Sequence, residues 1–119
     1  MAFSNGYSYR RKLTIDHTKV QNTDQANFPV LISGTYTYLK TTGFSGEISS
    51  SSGYDIRFED TNGTKLDYEL EEYTANTGDF IGWVRLATVF TASDTNFYMY
   101  YGNSSVTTNA EQNVASVWT

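Results

Sequence analysis

The chain has no cysteine and a single histidine. Without cysteine there is no disulfide and no thiol chemistry, so packing alone must hold the fold. A lone His17 excludes a histidine-rich metal cluster and leaves a single imidazole, with none to spare, for any conventional catalytic triad. Basic residues are also scarce. Eight Lys and Arg against 13 Asp and Glu give a net charge of −5 and a pI near 4.6. That balance argues against nucleic acid and anionic membranes as partners. No apolar run approaches the ~20 residues that a membrane helix needs, so no membrane insertion is expected. Met1 to Ser4 carry no leader pattern. No window shows a 3.6-residue apolar stripe, which excludes any substantial helix.

What is present suits strands. Ten Tyr, seven Phe and two Trp stand among many Thr and Ser, the aromatic and β-branched types that fit a pleated surface. A chain of 119 residues is one domain, able to bury roughly 65% of its unfolded surface. The expected fold is an all-β, antiparallel β-sandwich, jelly-roll-like, with about eight strands. Residues 1–119 read as a single module cut from a larger protein.

Gly53 to Tyr73, GYDIRFEDTNGTKLDYELEEY, is the most informative stretch. Ile56 and Phe58 alternate with Asp55, Arg57 and Glu59, and Leu66, Tyr68 and Leu70 alternate with Asp67, Glu69 and Glu71. Period two over both runs predicts half-buried strands joined through Thr61-Asn62-Gly63. A two-residue Asn-Gly turn would mix core and solvent faces, because a one-residue slip flips every side chain. A three-residue loop with Gly63 left-handed pairs Phe58 with Leu66, Ile56 with Tyr68, Glu59 with Lys65 and Arg57 with Asp67. That register matches apolar with apolar and makes opposite-charge pairs worth ~0.2–1 kcal/mol each. Asp55, Arg57, Glu59, Asp67, Glu69 and Glu71 then form a polar face, either a solvated acidic surface or a binding surface able to take a cation.

Elsewhere the chain reads as short strands and turns. Tyr7 to Asp16 is a strand with Leu13 and Ile15 inward; its three consecutive cations suit an edge, or a strand lying beside the acidic hairpin face. A lysine there could also form an isopeptide crosslink, although nothing pins its partner. His17 to Ala26 is a polar loop with a turn histidine. Asn27 to Ile32 is an apolar strand opened by Pro29. Tyr36 to Lys40 is a helical turn or short strand, and Thr41 to Ser52 a long Thr/Gly/Ser loop. Phe80 to Thr88 is a strand with Gly82, Val84 and Leu86 on its apolar side. Thr95 to Tyr101 follows, and Asn113 to Trp118 is a last short strand anchored by Val114 and Val117.

The stretches YRRKLTID, NFPVLI, GYDIRFEDTNGTKLDYELEEY, GWVRL, FYMYYGN and the closing VW resemble the family called domain of unknown function 2341. The resemblance runs from Tyr9 to Trp118. It implies a β-sandwich module of large secreted or surface-bound bacterial and archaeal proteins, often beside concanavalin A-like lectin or glucanase modules. It implies no activity and no catalytic residue. The family's recurring positions fall on Asp55, Arg57, Phe58, Leu66, Tyr68, Glu69, Glu71, Trp83, Val84, Tyr100, Tyr101, Gly102 and Asn103.

If the even-numbered apolar residues fill the core, the opposite face presents Arg57, Glu69, Glu71, Trp83, Arg85, Tyr98 and Tyr100. Flat aromatic rings with carboxylates and guanidiniums between them suit sugars, which have apolar C–H faces and a rim of hydroxyls. The expected function is therefore non-catalytic recognition of a polysaccharide or glycan, outside the cell or on its surface. The rival is a structural spacer or adhesin domain that packs this face on neighbouring domains. Glu69 and Glu71 lie at a separation an inverting glycosidase could use, but on an open face beside arginines that keep them ionised; no catalytic residue is expected. Asp24, Asp60 and Asn62 offer loop oxygens that calcium would accept. They lack a D-x-D-x-D-G pattern, so turn formation is the simpler reading and no cofactor is assigned.

Overall fold

The computed structural model describes residues 3–20 and 23–118. Among them are six strands: β1 Tyr9–Ile15, β2 Gln25–Thr35, β3 Ile56–Asp60, β4 Tyr68–Thr74, β5 Asp79–Val89 and β6 Thr95–Tyr101. The strands make two antiparallel three-stranded sheets, ordered β1-β6-β3 and β2-β5-β4. The expected eight strands thus become six, while the all-β, antiparallel architecture stands.

The inner faces follow parity. Ile56, Phe58, Leu66, Tyr68, Val84, Leu86, Phe97 and Met99 are all buried and share one cluster. Each such side chain contributes about 1.5–3 kcal/mol by leaving water. Phe58 of one sheet meets the rings of Tyr68 and Phe80 of the other at 4.9 and 6.3 Å. The two layers therefore interdigitate in a single core, as stacked sheets do.

The predicted hairpin is right at its turn and wrong beyond it. The Asp60 N–H donates to Thr64 O at 2.9 Å, Leu66 N–H donates to Phe58 O at 2.8 Å, and Glu59 bridges Lys65. Gly63 has φ +84°, the left-handed conformation that only glycine adopts freely. Past Leu66 the strands part. β3 pairs with β6 and β4 with β5, so neither Ile56 with Tyr68 nor Arg57 with Asp67 forms a pair. A two-stranded ribbon would leave its apolar side uncovered. Splaying lets Phe58 and Tyr68 cover one another from opposite layers.

Other departures have local causes. The closing segment is a short helix, α1 Val114–Val117, not a strand. The Asn113 N–H donates to Tyr68 O and the Ser116 N–H to Asn113 O; this turn buries Val117 and leaves Val114 exposed. Pro29 lies inside β2, not at its start. It faces Arg85, whose N–H donates to Asp67 O on the β4 side. Pro29 is therefore in a non-bonded pair, and its missing N–H faces the free edge, where it disrupts no ladder. Thr37–Leu39 is a 3₁₀ turn, within the segment left open between turn and strand. Of the polar loop expected at His17 to Ala26, Gln21 and Asn22 lie outside the described residues; His17–Lys19 is a 3₁₀ turn and β2 begins at Gln25.

Asp55 is not on a solvated polar face. It is fully buried, and its carboxylate accepts from the backbone N–H groups of Ser49 (2.8 Å), Ser50 (3.0 Å) and Asn103 (3.0 Å). It fastens the Thr41–Ser52 loop to the chain beyond β6. That loop is anchored again by Ile48, which is fully buried. Gly46 permits the fold-back: a Cβ there would sit 1.9 Å from Lys40 O.

Candidate functional site

The seven candidate residues divide between two outer faces. Arg57, Tyr98 and Tyr100 belong to the β1-β6-β3 sheet, and Glu69, Trp83 and Arg85 to the β2-β5-β4 sheet, with Glu71 at a bulge in β4 between Leu70 and Glu72. They do not form the single surface expected.

The first face is covered by the chain itself. The Phe3 ring stands edge-on to Tyr100 at 5.3 Å, and Tyr7 packs on it from a second direction. Tyr100 is left 7% exposed. Arg10 lies over the rings of Phe3 and Tyr98 and donates to Tyr100 Oη at 3.2 Å. Arg57 donates to Glu59 at 2.7 Å and to Glu111 at 3.2 Å, and the Tyr7 hydroxyl donates to Glu111 at 2.7 Å. Burial alone would lower the Arg57 guanidinium, but its hydrogen bond to Glu59 and the nearby Glu111 charge raise it instead. The Tyr7 phenol is pushed up by burial first and by Glu111 second. Glu59, expected on the solvated side, is buried under Asn5, which donates to it at 2.9 Å. This network ties terminal segments to a sheet; Tyr100 is enclosed within it and Arg57, half-buried, has its guanidinium held by two glutamates.

The second face is open. Trp83 points outward from the middle strand, with Leu31 beside it on β2 and Glu69 on β4. Helix α1 brings Trp118 over the same face, edge-on to Trp83 at 5.0 Å with 64° between the planes. The Trp118 indole N–H donates to Glu69 Oε1 at 2.5 Å, and that of Trp83 to Glu71 Oε1 at 3.2 Å. The bulge in β4 adds one residue on that strand, which lets Glu69 and Glu71 reach different indoles. Trp118 is 51% exposed and Leu31 49%. Arg85 closes one end of the row: it donates to Asn27 at 2.9 Å, to Ser116 O at 3.2 Å and to Asp67 at 3.5 Å. An open groove of about 680 Å3 begins at Trp83 and Leu31 and runs past Pro29, Phe28, Val20 and Lys19.

Trp118 and Leu31 are missing from the sequence-based set. Leu31 could have been found, since it sits at odd parity beside Trp83 once β2 pairs with β5. Trp118 could not, because its place depends on a helix that periodicity does not announce.

The loop oxygens suggested for calcium have other work. Asp60 Oδ1 accepts from the N–H groups of Asn62 and Thr64, both at 2.9 Å, and Asp24 accepts from Thr91 N–H at 2.9 Å. The Asp60 bonds are local turn bonds of the Asx kind, whereas the Asp24 bond ties its loop to the turn between β5 and β6. His17 has its ring nitrogen 2.7 Å from Asp94 Oδ1, and Asp16 lies close by. The Asp94 carboxyl is held below the usual carboxylate range, mainly by the His17 backbone N–H and then by its ring.

The family model described as a domain of unknown function, DUF2341, matches residues 52–118. The chain belongs to that family. No curated protein and no solved structure matches it. The matched span holds much of the DUF2341 domain's open face: β4, β5 and helix α1, with Glu69, Glu71, Trp83, Arg85 and Trp118. No helix among the described residues is long and apolar enough to cross a membrane.

Proposed function

We propose that this DUF2341 domain is a non-catalytic module that recognises a polysaccharide or glycan through the outer face of its β2-β5-β4 sheet. The observation that carries this reading is the Trp83–Trp118 pair, two indoles at an angle with each N–H fixed by a glutamate. Rings held this way offer sugar C–H faces a rigid apolar platform at little entropic cost. The remaining carboxylate lone pairs and the Arg85 guanidinium offer directed hydrogen bonds to hydroxyls. The groove beyond Trp83 adds further apolar surface around the β2 edge. The contact set is thus Glu69, Glu71, Trp83 and Arg85 with Trp118 and Leu31, without Arg57, Tyr98 and Tyr100. The chain crosses between the two sheets at every step but β4 to β5, which supports a jelly-roll-like sandwich as its frame, and the reading places the module in a larger extracellular or surface protein.

Affinity electrophoresis through gels containing plant, algal or bacterial polysaccharides tests the reading. The domain should be retarded by at least one of them, and Trp118→Ala should weaken binding about tenfold, the worth of one aromatic contact. Free migration through all of them would sink it.

One observation favours the alternative of a structural spacer. β2 is apolar on both faces, from Phe28 to Ile32, yet it is an edge strand with Phe28 40% and Leu31 49% exposed. Such a strand normally lies covered. A neighbouring domain packed there would leave the domain unresponsive to glycans and protect β2 from amide exchange only in the longer protein.

A further inference from the structure

We infer that the glycan recognised on this face carries protonated amino groups, an inference that rests on the glycan reading above. The charge balance around the two indoles carries it. Glu69, Glu71 and Glu72 follow one another along the bulged part of β4. Among the described residues, no Lys or Arg nitrogen lies within 4.0 Å of any of them. The guanidinium in the row, that of Arg85, is turned to Asp67, Asn27 and the Ser116 carbonyl. The indole N–H groups satisfy one carboxylate oxygen each of Glu69 and Glu71, which leaves most of their acceptor capacity open.

This end of the face is therefore negative and unneutralised, on a chain whose net charge is itself −5. Acidic sugars would be repelled from it. Neutral sugars would offer the carboxylates hydroxyl donors but no charge to offset their mutual repulsion. An ammonium group on a sugar supplies three donors and a full positive charge. Set in the corner between the indoles, it would meet carboxylates on one side and aromatic faces on the other, the arrangement that favours organic cations. A 2-amino-2-deoxy sugar polymer joins that cation to the C–H faces that the tryptophans suit.

The test is a titration of the full chain, followed by tryptophan fluorescence, with matched oligomers of β-1,4-linked glucosamine and N-acetylglucosamine, and with oligolysine. The glucosamine oligomer should bind about tenfold tighter than its acetylated counterpart, an advantage that shrinks as salt screens the charges. Glu69→Gln with Glu71→Gln should erase the advantage while the circular dichroism spectrum stays that of the parent. Equal affinity for both sugars at low salt would overturn the inference and leave glycan recognition intact. Oligolysine binding as tightly as the glucosamine oligomer would overturn it too, since charge without sugar would then suffice. Failure of every glycan to bind would instead bring down the reading on which it rests.

Discussion

The rings of Phe58 and Tyr68 meet edge-on across the interior at 4.9 Å, one from each sheet. The contact joins the two layers near the corner where the chain crosses between them. The Tyr68 hydroxyl is fully enclosed and finds no partner among the described residues. An enclosed hydroxyl without a partner costs about 1–3 kcal/mol. Tyr68→Phe keeps the ring contact and removes that burden, so it should raise stability by about 1 kcal/mol. Urea unfolding reads the change, and a loss of similar size would show that the hydroxyl is bonded after all.

Asp55 acts in the opposite sense. Its buried carboxylate gathers three backbone N–H groups from two separate segments. Charge-assisted bonds of this kind are stronger than neutral ones. Asp55→Ala strands those donors and should cost about 3 kcal/mol. Proteolysis should then cut first within Thr41–Ser52, the segment the carboxylate fastens. A variant as stable and as resistant as the parent would refute the assignment.

Buried phenols set the behaviour in alkali. Tyr68 and Tyr73 are pushed up by burial, and Tyr7 by burial and then by Glu111. Each has a folded pKa above its unfolded value, so the stability it contributes is complete below about pH 10 and declines above it. Urea midpoints should be level on the mild side of about pH 10 and fall steadily beyond it, with a shallower fall in Tyr68→Phe. A midpoint that does not move in alkali would contradict this.

Parity was legible in the sequence because burial on one side writes period two directly into the strand. Alternation alone puts Ile56, Phe58, Val84, Leu86, Phe97 and Met99 inward, and Gly63 sets the loop between β3 and β4 through its need for positive φ. The pairing of strands into sheets was not legible. Turn chemistry sets register at Asp60 and Thr64 but says nothing about how far pairing runs, and here it ends at Leu66. The candidate surface failed at the same point: parity puts Arg57, Tyr100, Glu69 and Trp83 all outward, without saying that two of them look out from one sheet and two from the other. The covering of Tyr100 by Phe3 and Tyr7, and the arrival of Trp118 beside Trp83, depend on contacts between distant parts of the chain.

The most direct measurement uses the two indole N–H resonances. The chain has two tryptophans, so Trp83→Phe and Trp118→Phe assign both signals without further work. Titration with a polysaccharide that retards the domain should shift both resonances together, because the proposed platform contains both rings and both N–H–glutamate bonds. A glycan that binds while both indole signals stay in place would contradict the assignment of this face.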